Sequence, residues 1–361
     1  MLSLRTWNRF RPLLRPVALL YWGLAWWRNF FYSIGFFITR QVSVPVVSIG
    51  NLSVGGTGKT PATIYTAQHL AHLGYKVGIL SRGYRRSSTG TLLVSDGKHL
   101  LVTPEEGGDE PYLLACRLNG VPVVVDEDRY RGATIMIGQF SPDVLLLDDA
   151  FQHRSLVRDC DLVLLDASAP LHDYHLFPYG ALREHLGALK RADLVVWTRT
   201  NSQSPPLSLT RRIDELSVTQ IHSTMAVPPQ LIEVATEENI PAEKLRDEPI
   251  LAFCGIARPT TFYHALISLG LEPETVQYYP DHHHYTEDDL AHLSELTEGK
   301  RLVMVTTEKD AVKLNSDFLA KYRVYTLRVE FHLEGENLEV FRNTLAACLP
   351  LPPITQEVGE A

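Results

Sequence analysis

Eight consecutive residues carry the strongest chemistry in this chain. SVGGTGKT supplies Ser53, Val54, Gly55, Gly56, Thr57, Gly58, Lys59 and Thr60. The glycines let a backbone curl until its N–H groups face one point, which suits a phosphate. Lys59 is placed to reach the β- and γ-phosphates of a nucleotide, and the Thr60 hydroxyl to hold Mg²⁺. Ser53 stands where such loops usually begin with glycine. A phosphate loop needs a strand before it and a helix after it. Residues 42–50 are β-branched and end on Gly50, and residues 59–74 carry apolar residues at helical spacing, closed by Gly74.

A carboxylate pair, Asp148 and Asp149, follows the apolar run Val144–Leu147. With a phosphate loop present, this reads as the acidic strand end that meets the metal. Adjacent residues of an extended strand point oppositely, so one of Asp148 and Asp149 is expected to bind metal directly while the other orients water or substrate. GGDEP (107–111) sets Asp109 and Glu110 in a turn. Asp109 suits a general base for a hydroxyl acceptor, and Glu110 is a further oxygen donor for the metal. Asp281-His282-His283-His284-Tyr285 is a histidine run without zinc-site spacing. FQHR adds Gln152 and His153 at the rim of the Asp pair, and SRGYRR adds Arg82, Arg85 and Arg86 for an anionic group. TEKDAVKL (307–314) opens a helix after a strand.

Short apolar runs at 77–80, 121–125, 144–147, 162–165 and 194–197 alternate with helix-length segments. That pattern predicts βαβ units around a mainly parallel sheet buried on both faces. A fresh αβ pattern starts at Ile250, with strands at 250–254 and 302–306 and helices near 259–269 and 309–321. The expected organisation is an α/β chain: an N-terminal helix (1–40), a P-loop kinase core (41–225), a linker (226–249), a smaller α/β domain (250–349) and a tail (350–361). Four scattered cysteines, with no C-x-x-C pair, argue against a disulfide scaffold or a cysteine-rich zinc site.

The net charge of −8 is unevenly spread: the first 95 residues contain eleven basic residues and no acid, Asp96 being the first. Residues 1–40 also hold four of the five Trp. Leu20, Leu24, Trp27, Phe31 and Ile34 form one helical stripe, while Arg28 shares the other side with Tyr21, Ala25 and Tyr32. Arg with Trp and Phe on an amphipathic helix fits an interfacial membrane anchor. A span would carry Arg28 near its centre, at about 2.5–3.5 kcal/mol on insertion scales. No small-residue cleavage site follows, so a removed signal peptide is not the reading.

Together and in this order, GNLSVGGTGKTP, LSRGYRR, GGDEP, LLLDDAFQH, FCGIARP, DHHHY and TEKDAVKL resemble the tetraacyldisaccharide 4'-kinase family. That family also lacks the first glycine of the loop. The resemblance implies transfer of the ATP γ-phosphate, with Mg²⁺, to the 4'-hydroxyl of a tetraacyldisaccharide 1-phosphate, giving lipid IV-A. It implies work on an anionic glycolipid at the cytoplasmic face of the bacterial inner membrane; nucleic acid is not the expected partner, and no protein partner is implied. It assigns the base to Asp109, working with His282. Lys59 and Asp149 join them as the catalytic set.

Three other P-loop classes fit less well. A membrane-recruited switch ATPase carries Lys where this chain has Val54, no N-K-x-D follows a late strand as a GTPase needs, and a nucleic-acid ATPase leaves the Trp/Phe stripe unexplained.

Overall fold

The computed structural model describes residues 14–297 and 302–352. Arg5, Trp7, Arg9, Phe10, Arg11 and Pro12 of the basic N-terminus lie outside that range, as does the chain from residue 353. In chain order the strands of the two large sheets are β1 Val46–Asn51, β2 Val77–Ser81, β3 Leu92–Ser95, β4 Val123–Val125, β5 Val144–Asp148, β6 Cys160–Asp166, β7 Leu194–Thr198 and β8 Gln220–His222. There follow β9 Gln230–Glu233, β10 Asn239–Pro241, β11 Ile250–Cys254, β12 Pro273–Tyr278, β13 Val303–Thr307 and β14 Val324–Leu327. The helices that position the site are α1 Arg15–Ser33, α2 Lys59–His72, α3 Asp109–Arg117, α4 Arg129–Phe140, α5 Pro259–Ser268, α6 Glu287–Thr297, α7 Glu308–Ala311 and α8 Gly335–Cys348.

Two compact units emerge, neither of them one contiguous segment. The first comprises residues 1–82, 126–225 and 331–361, the second residues 83–125 and 226–330. The chain crosses at 225/226, where the kinase core was expected to end, but 83–125 belongs to the second unit and α8 to the first. The expected linker holds β9 and β10, which extend the second sheet. Both strands are only three or four residues long, and β10 lies at the sheet edge, so their apolar signal is faint.

In the first unit, β2, β5, β1, β6, β7 and β8 run parallel in that order. All residues of β1, β2, β5, β6 and β7 are buried, as a sheet covered on both faces requires. Helix α2 buries Ala62, Ile64, Ala67 and Leu70. Phe341 of α8 is buried, with its ring 5.9 Å from that of Tyr65. The register pairs Ile49 of β1 with Asp148 of β5, so the strand ends that carry the phosphate loop and the acidic pair are neighbours.

The second unit is built on a sheet ordered β10-β9-β14-β13-β11-β12, parallel except at β9. Alternation along β11 divides its core. Ile250, Ala252 and Cys254 pack with Phe262 and Leu266 of α5, whereas Leu251 and Phe253 pack with Leu290 and Leu293 of α6. The helix expected over 309–321 is two short ones: Thr307 caps α7, and Asn315 caps a second helix by accepting from the Phe318 N–H at 2.8 Å.

Helix α1 turns its Arg28 side inward. The Asn29 amide donates to Glu184 Oε2 at 2.6 Å, Arg28 reaches Glu184 Oε1 at 3.5 Å, and the Arg154 guanidinium donates to the Asn29 carbonyl at 2.8 Å. The apolar stripe faces away from the unit, leaving Leu20, Leu24 and Trp27 at 68%, 66% and 60% exposure. No described helix is long and apolar enough to cross a membrane.

Candidate active site

The phosphate loop leaves β1 at Asn51, whose side-chain amide donates to Thr57 Oγ1 at 2.9 Å. Thr198 at the end of β7 donates to the Thr57 carbonyl at 2.9 Å, and Arg199 donates to the Gly56 carbonyl at 3.1 Å. The Val54 N–H donates to the Ala181 carbonyl at 2.7 Å, beside a bridge from Ser53 to Leu182. Gly58 precedes α2 with φ +88°, and a Cβ there would lie 2.2 Å from Met225 Cε. That left-handed backbone favours glycine, and any side chain there would have to displace the end of Met225. Lys59 and Thr60 then open the helix, whose first N–H groups are available to an anion.

The adjacent aspartates take different directions through one backbone feature. Asp148 ends β5 and is buried, accepting from Ser81 Oγ at 3.1 Å and Thr63 Oγ1 at 3.5 Å. Asp149 has φ +49°, which breaks the strand. Its carboxylate accepts from Arg183 at 3.1 Å and stands 3.7 Å from Lys59 Nζ. Burial alone would raise its pKa, but Lys59 and Arg183 outweigh burial and hold the carboxyl below the ordinary range. Gln152 donates to the Asn51 carbonyl at 2.8 Å and accepts from Arg183 at 3.2 Å. His153 faces Ser155 Oγ at 2.8 Å; burial, with Arg129 and Arg158, pushes it down to about 4, so it is neutral at pH 7. Buried Arg129 donates to the Asp126 carbonyl at 2.5 Å, and burial lowers its guanidinium to about 10 against the pull of Asp148 and Asp149. Arg82, in this unit, adds its positive field to Arg129 and His153.

In the second unit, the GGDEP turn starts α3 with Asp109 as its first residue. Gly108, at φ +90°, lets this turn lie against Gly83 of SRGYRR. Asp109 is 8% exposed. His282 Nδ1 lies 2.9 Å from its Oδ2 and 3.1 Å from its Oδ1, and the Glu110 N–H donates to Oδ1 at 2.9 Å. Burial works to raise the Asp109 carboxyl, but His282 and Lys309 hold it below the usual range. Of the histidine run, only His282 meets Asp109. His283 is bound to Asp289 at 3.0 Å and stacked on Tyr279 at 4.6 Å, while His284 is largely exposed. Glu110, expected at the metal, accepts from Lys309 Nζ at 2.9 Å. Of the arginine turn, Arg85 donates to the Asp281 carbonyl at 2.9 Å and Arg86 to the Gly90 and Val125 carbonyls. Asp310 ties TEKD to FCGIARP by accepting from the Gly255 N–H at 2.9 Å.

Sequence reading missed Lys309, Arg129 and Arg183. Lys309 stood in a motif already noted but had no partner in sight, and the other two lie in no recognisable pattern.

The loop and acidic pair of the first unit can bind a nucleotide phosphate chain with oxygen donors for a cation; the carboxylate–imidazole pair of the second unit can draw a proton from a hydroxyl. Comparison with known proteins agrees. The family model described as tetraacyldisaccharide-1-P 4'-kinase matches residues 10–347. The tetraacyldisaccharide 4'-kinase of Anaeromyxobacter sp. (strain Fw109-5) is 39% identical over 90% of this chain and 88% of its own. That of Chlorobaculum parvum is 38% identical over 91% and 92%. The crystal structure of LpxK from Aquifex aeolicus in complex with ATP is similar with a TM-score of 0.76 and 34% identity, covering 93% of this chain and 99% of that one. With a phosphate loop, an acidic strand end and a carboxylate–imidazole pair in place, and with relatives matched along nearly its whole length, this chain belongs to the tetraacyldisaccharide 4'-kinase family.

Proposed function

We propose that this kinase transfers the γ-phosphate of ATP to the 4'-hydroxyl of a tetraacyldisaccharide 1-phosphate, forming lipid IV-A. The observation that carries the reading is the pairing of Asp109 with His282: a buried, ionised carboxylate is a suitable acceptor for the proton of an attacking hydroxyl. The acceptor O–H bond breaks and its proton passes to Asp109. The oxygen forms a bond to the γ-phosphorus, and the bond from phosphorus to the bridging oxygen breaks, its electron pair leaving with ADP.

The loop N–H groups and Lys59 bind the phosphate chain and stabilise charge on the transferred group. Thr60, Asp148 and Asp149 offer a hydroxyl and two carboxylates, a hard-oxygen set that suits Mg²⁺. When bound, that ion neutralises charge on the β- and γ-phosphates. Arg183 donates to both Asp149 and Gln152, which holds the Asp149 carboxylate in place.

The exposed stripe of α1 supports the membrane surface as the place of work. A tetraacylated substrate stays in a bilayer, since each buried CH₂ contributes ~0.8 kcal/mol to its retention. The cytoplasmic face of the inner membrane follows, because ATP must be at hand.

The test is a mixed-micelle assay with γ-labelled ATP, Mg²⁺ and tetraacyldisaccharide 1-phosphate. Label is expected in the lipid with the parent enzyme and less than about a hundredth of that rate with Lys59→Ala, the loss of a positioned phosphate donor being worth ~10²–10³. ATP consumption without labelled lipid would overturn the reading in favour of a switch ATPase.

A further inference from the structure

Lys309 is the first cation in reach of a crowded acidic cluster. Its ammonium donates to Glu110 Oε1 at 2.9 Å and lies 3.8 Å from both Asp109 Oδ2 and Asp281 Oδ1. Its fourth neighbour is not an acid: Nζ is 3.1 Å from His282 Nε2. Burial works against its charge, yet the three carboxylates dominate and hold it protonated well above the usual lysine range. An ammonium has three donors and no lone pair. At hydrogen-bond distance from a ring nitrogen it requires that nitrogen to be the acceptor.

That requirement fixes the imidazole. If Nε2 carried the proton, its N–H would point at the ammonium, and the Nδ1 lone pair would face the Asp109 carboxylate 2.9 Å away. Both contacts are repulsive. With the proton on Nδ1, the ring donates to Asp109 on one side and accepts from Lys309 on the other, and both contacts are favourable. The backbone assists: His282 has φ +59°, and its N–H donates to the Gly255 carbonyl at 3.1 Å, which sets the ring's starting point. Tyr84 meets the ring edge-on at 5.3 Å.

We propose that Lys309 is a positioning residue that holds His282 as the neutral Nδ1–H tautomer, leaving Asp109 alone to take the proton of the acceptor hydroxyl. The ring cannot share that task, since its Nδ1 is already protonated and its Nε2 is covered by the ammonium. His282 therefore aims the carboxylate, and Lys309 aims His282. This rests on the reading of Asp109 as the base, and it divides the roles within that pair.

The experiment uses the full chain labelled with ¹⁵N-histidine, the His282 signals being assigned by their loss in His282→Gln. A proton-bearing Nδ1 and a lone-pair Nε2 are expected in the parent. Lys309→Met should lose that fixed tautomer and lower kcat by about 10–100-fold, the range seen where a partner that orients a metal-bound imidazole is removed. The KM for ATP should stay within about twofold, because nucleotide binding belongs to the other unit's loop. Lys309→Arg, which still donates, should restore the tautomer and part of kcat. A proton on Nε2 in the parent, or a Lys309→Met enzyme with parental kcat and tautomer, overturns the proposal. If Lys309→Met fails to fold, the parental spectrum alone decides. Should Asp109→Asn keep parental kcat, the base reading fails, while the tautomer measurement still reports on Lys309.

Discussion

At the scale of single residues, the site works by pairing each ionised group with a partner that sets its charge or its aim. Asp109 and Asp149 are both buried enough for burial to favour their neutral forms, and each is kept ionised by cations or an imidazole beside it. Asp109→Ala is expected to lower kcat about 10²–10⁴-fold with the KM for ATP nearly unchanged. A raised KM at constant kcat, measured by varying ATP at saturating lipid, would instead make Asp109 a nucleotide ligand. His153 gives a prediction for stability against pH. Its folded pKa of about 4 lies below the 6.5 of a free imidazole, so between these values the unfolded chain binds more protons. Stability is therefore complete above pH 6.5 and is lost as pH falls towards 4. Tm measured across that window should fall less steeply in His153→Gln than in the parent.

At the scale of elements, strand ends and helix starts deliver the chemistry. The parallel register of β1 with β5 brings loop and acids together, and ligands of parallel sheets bind at such carboxyl ends. Gly58 is the hinge of that delivery. Gly58→Ala would force a Cβ into a left-handed conformation, at about 1–2 kcal/mol, and against Met225. The expected result is a lower Tm together with weaker ATP binding by calorimetry, because Lys59 is displaced with the loop. Shortening the contact in Gly58→Ala/Met225→Ala should recover part of the Tm but none of the strain from φ. The sequence showed the strand–loop–helix order plainly, because glycine, lysine and threonine are read at fixed spacing. It did not show that Asp149 leaves the strand through a positive φ, since aspartate enters that conformation only where surrounding contacts hold it.

At the scale of the whole molecule, apolar surface is unevenly placed, and the N-terminal helix concentrates it. Its inward side is fixed by Glu184 and Arg154, so the exposed stripe is a built surface of the first unit. Leu24→Glu with Trp27→Glu should reduce flotation with anionic vesicles by at least about tenfold, since each large apolar side chain buried contributes ~1.5–3 kcal/mol. ATP binding should be unchanged. Undiminished flotation would remove α1 from the membrane contact.

The sequence by itself determined the alternation of strands and helices around the phosphate loop, the loop itself, the acidic strand end and the likeness to one kinase family. Those depend on residues adjacent in the chain, where spacing is geometry. Tertiary structure alone decided the rest. Asp109 meets His282 across 173 positions, and Lys309 meets Glu110 across 199. Arg183 reaches Asp149 from a stretch with no motif. Cys160 and Cys348, read as scattered, are brought with Asp193 into one cluster whose ligand atoms lie within 4.8 Å of one another. The two units alternate along the chain because α8 returns to the first unit after the second is complete. Each of these is a contact between side chains far apart in sequence, and only the packing of sheets and helices sets such a distance.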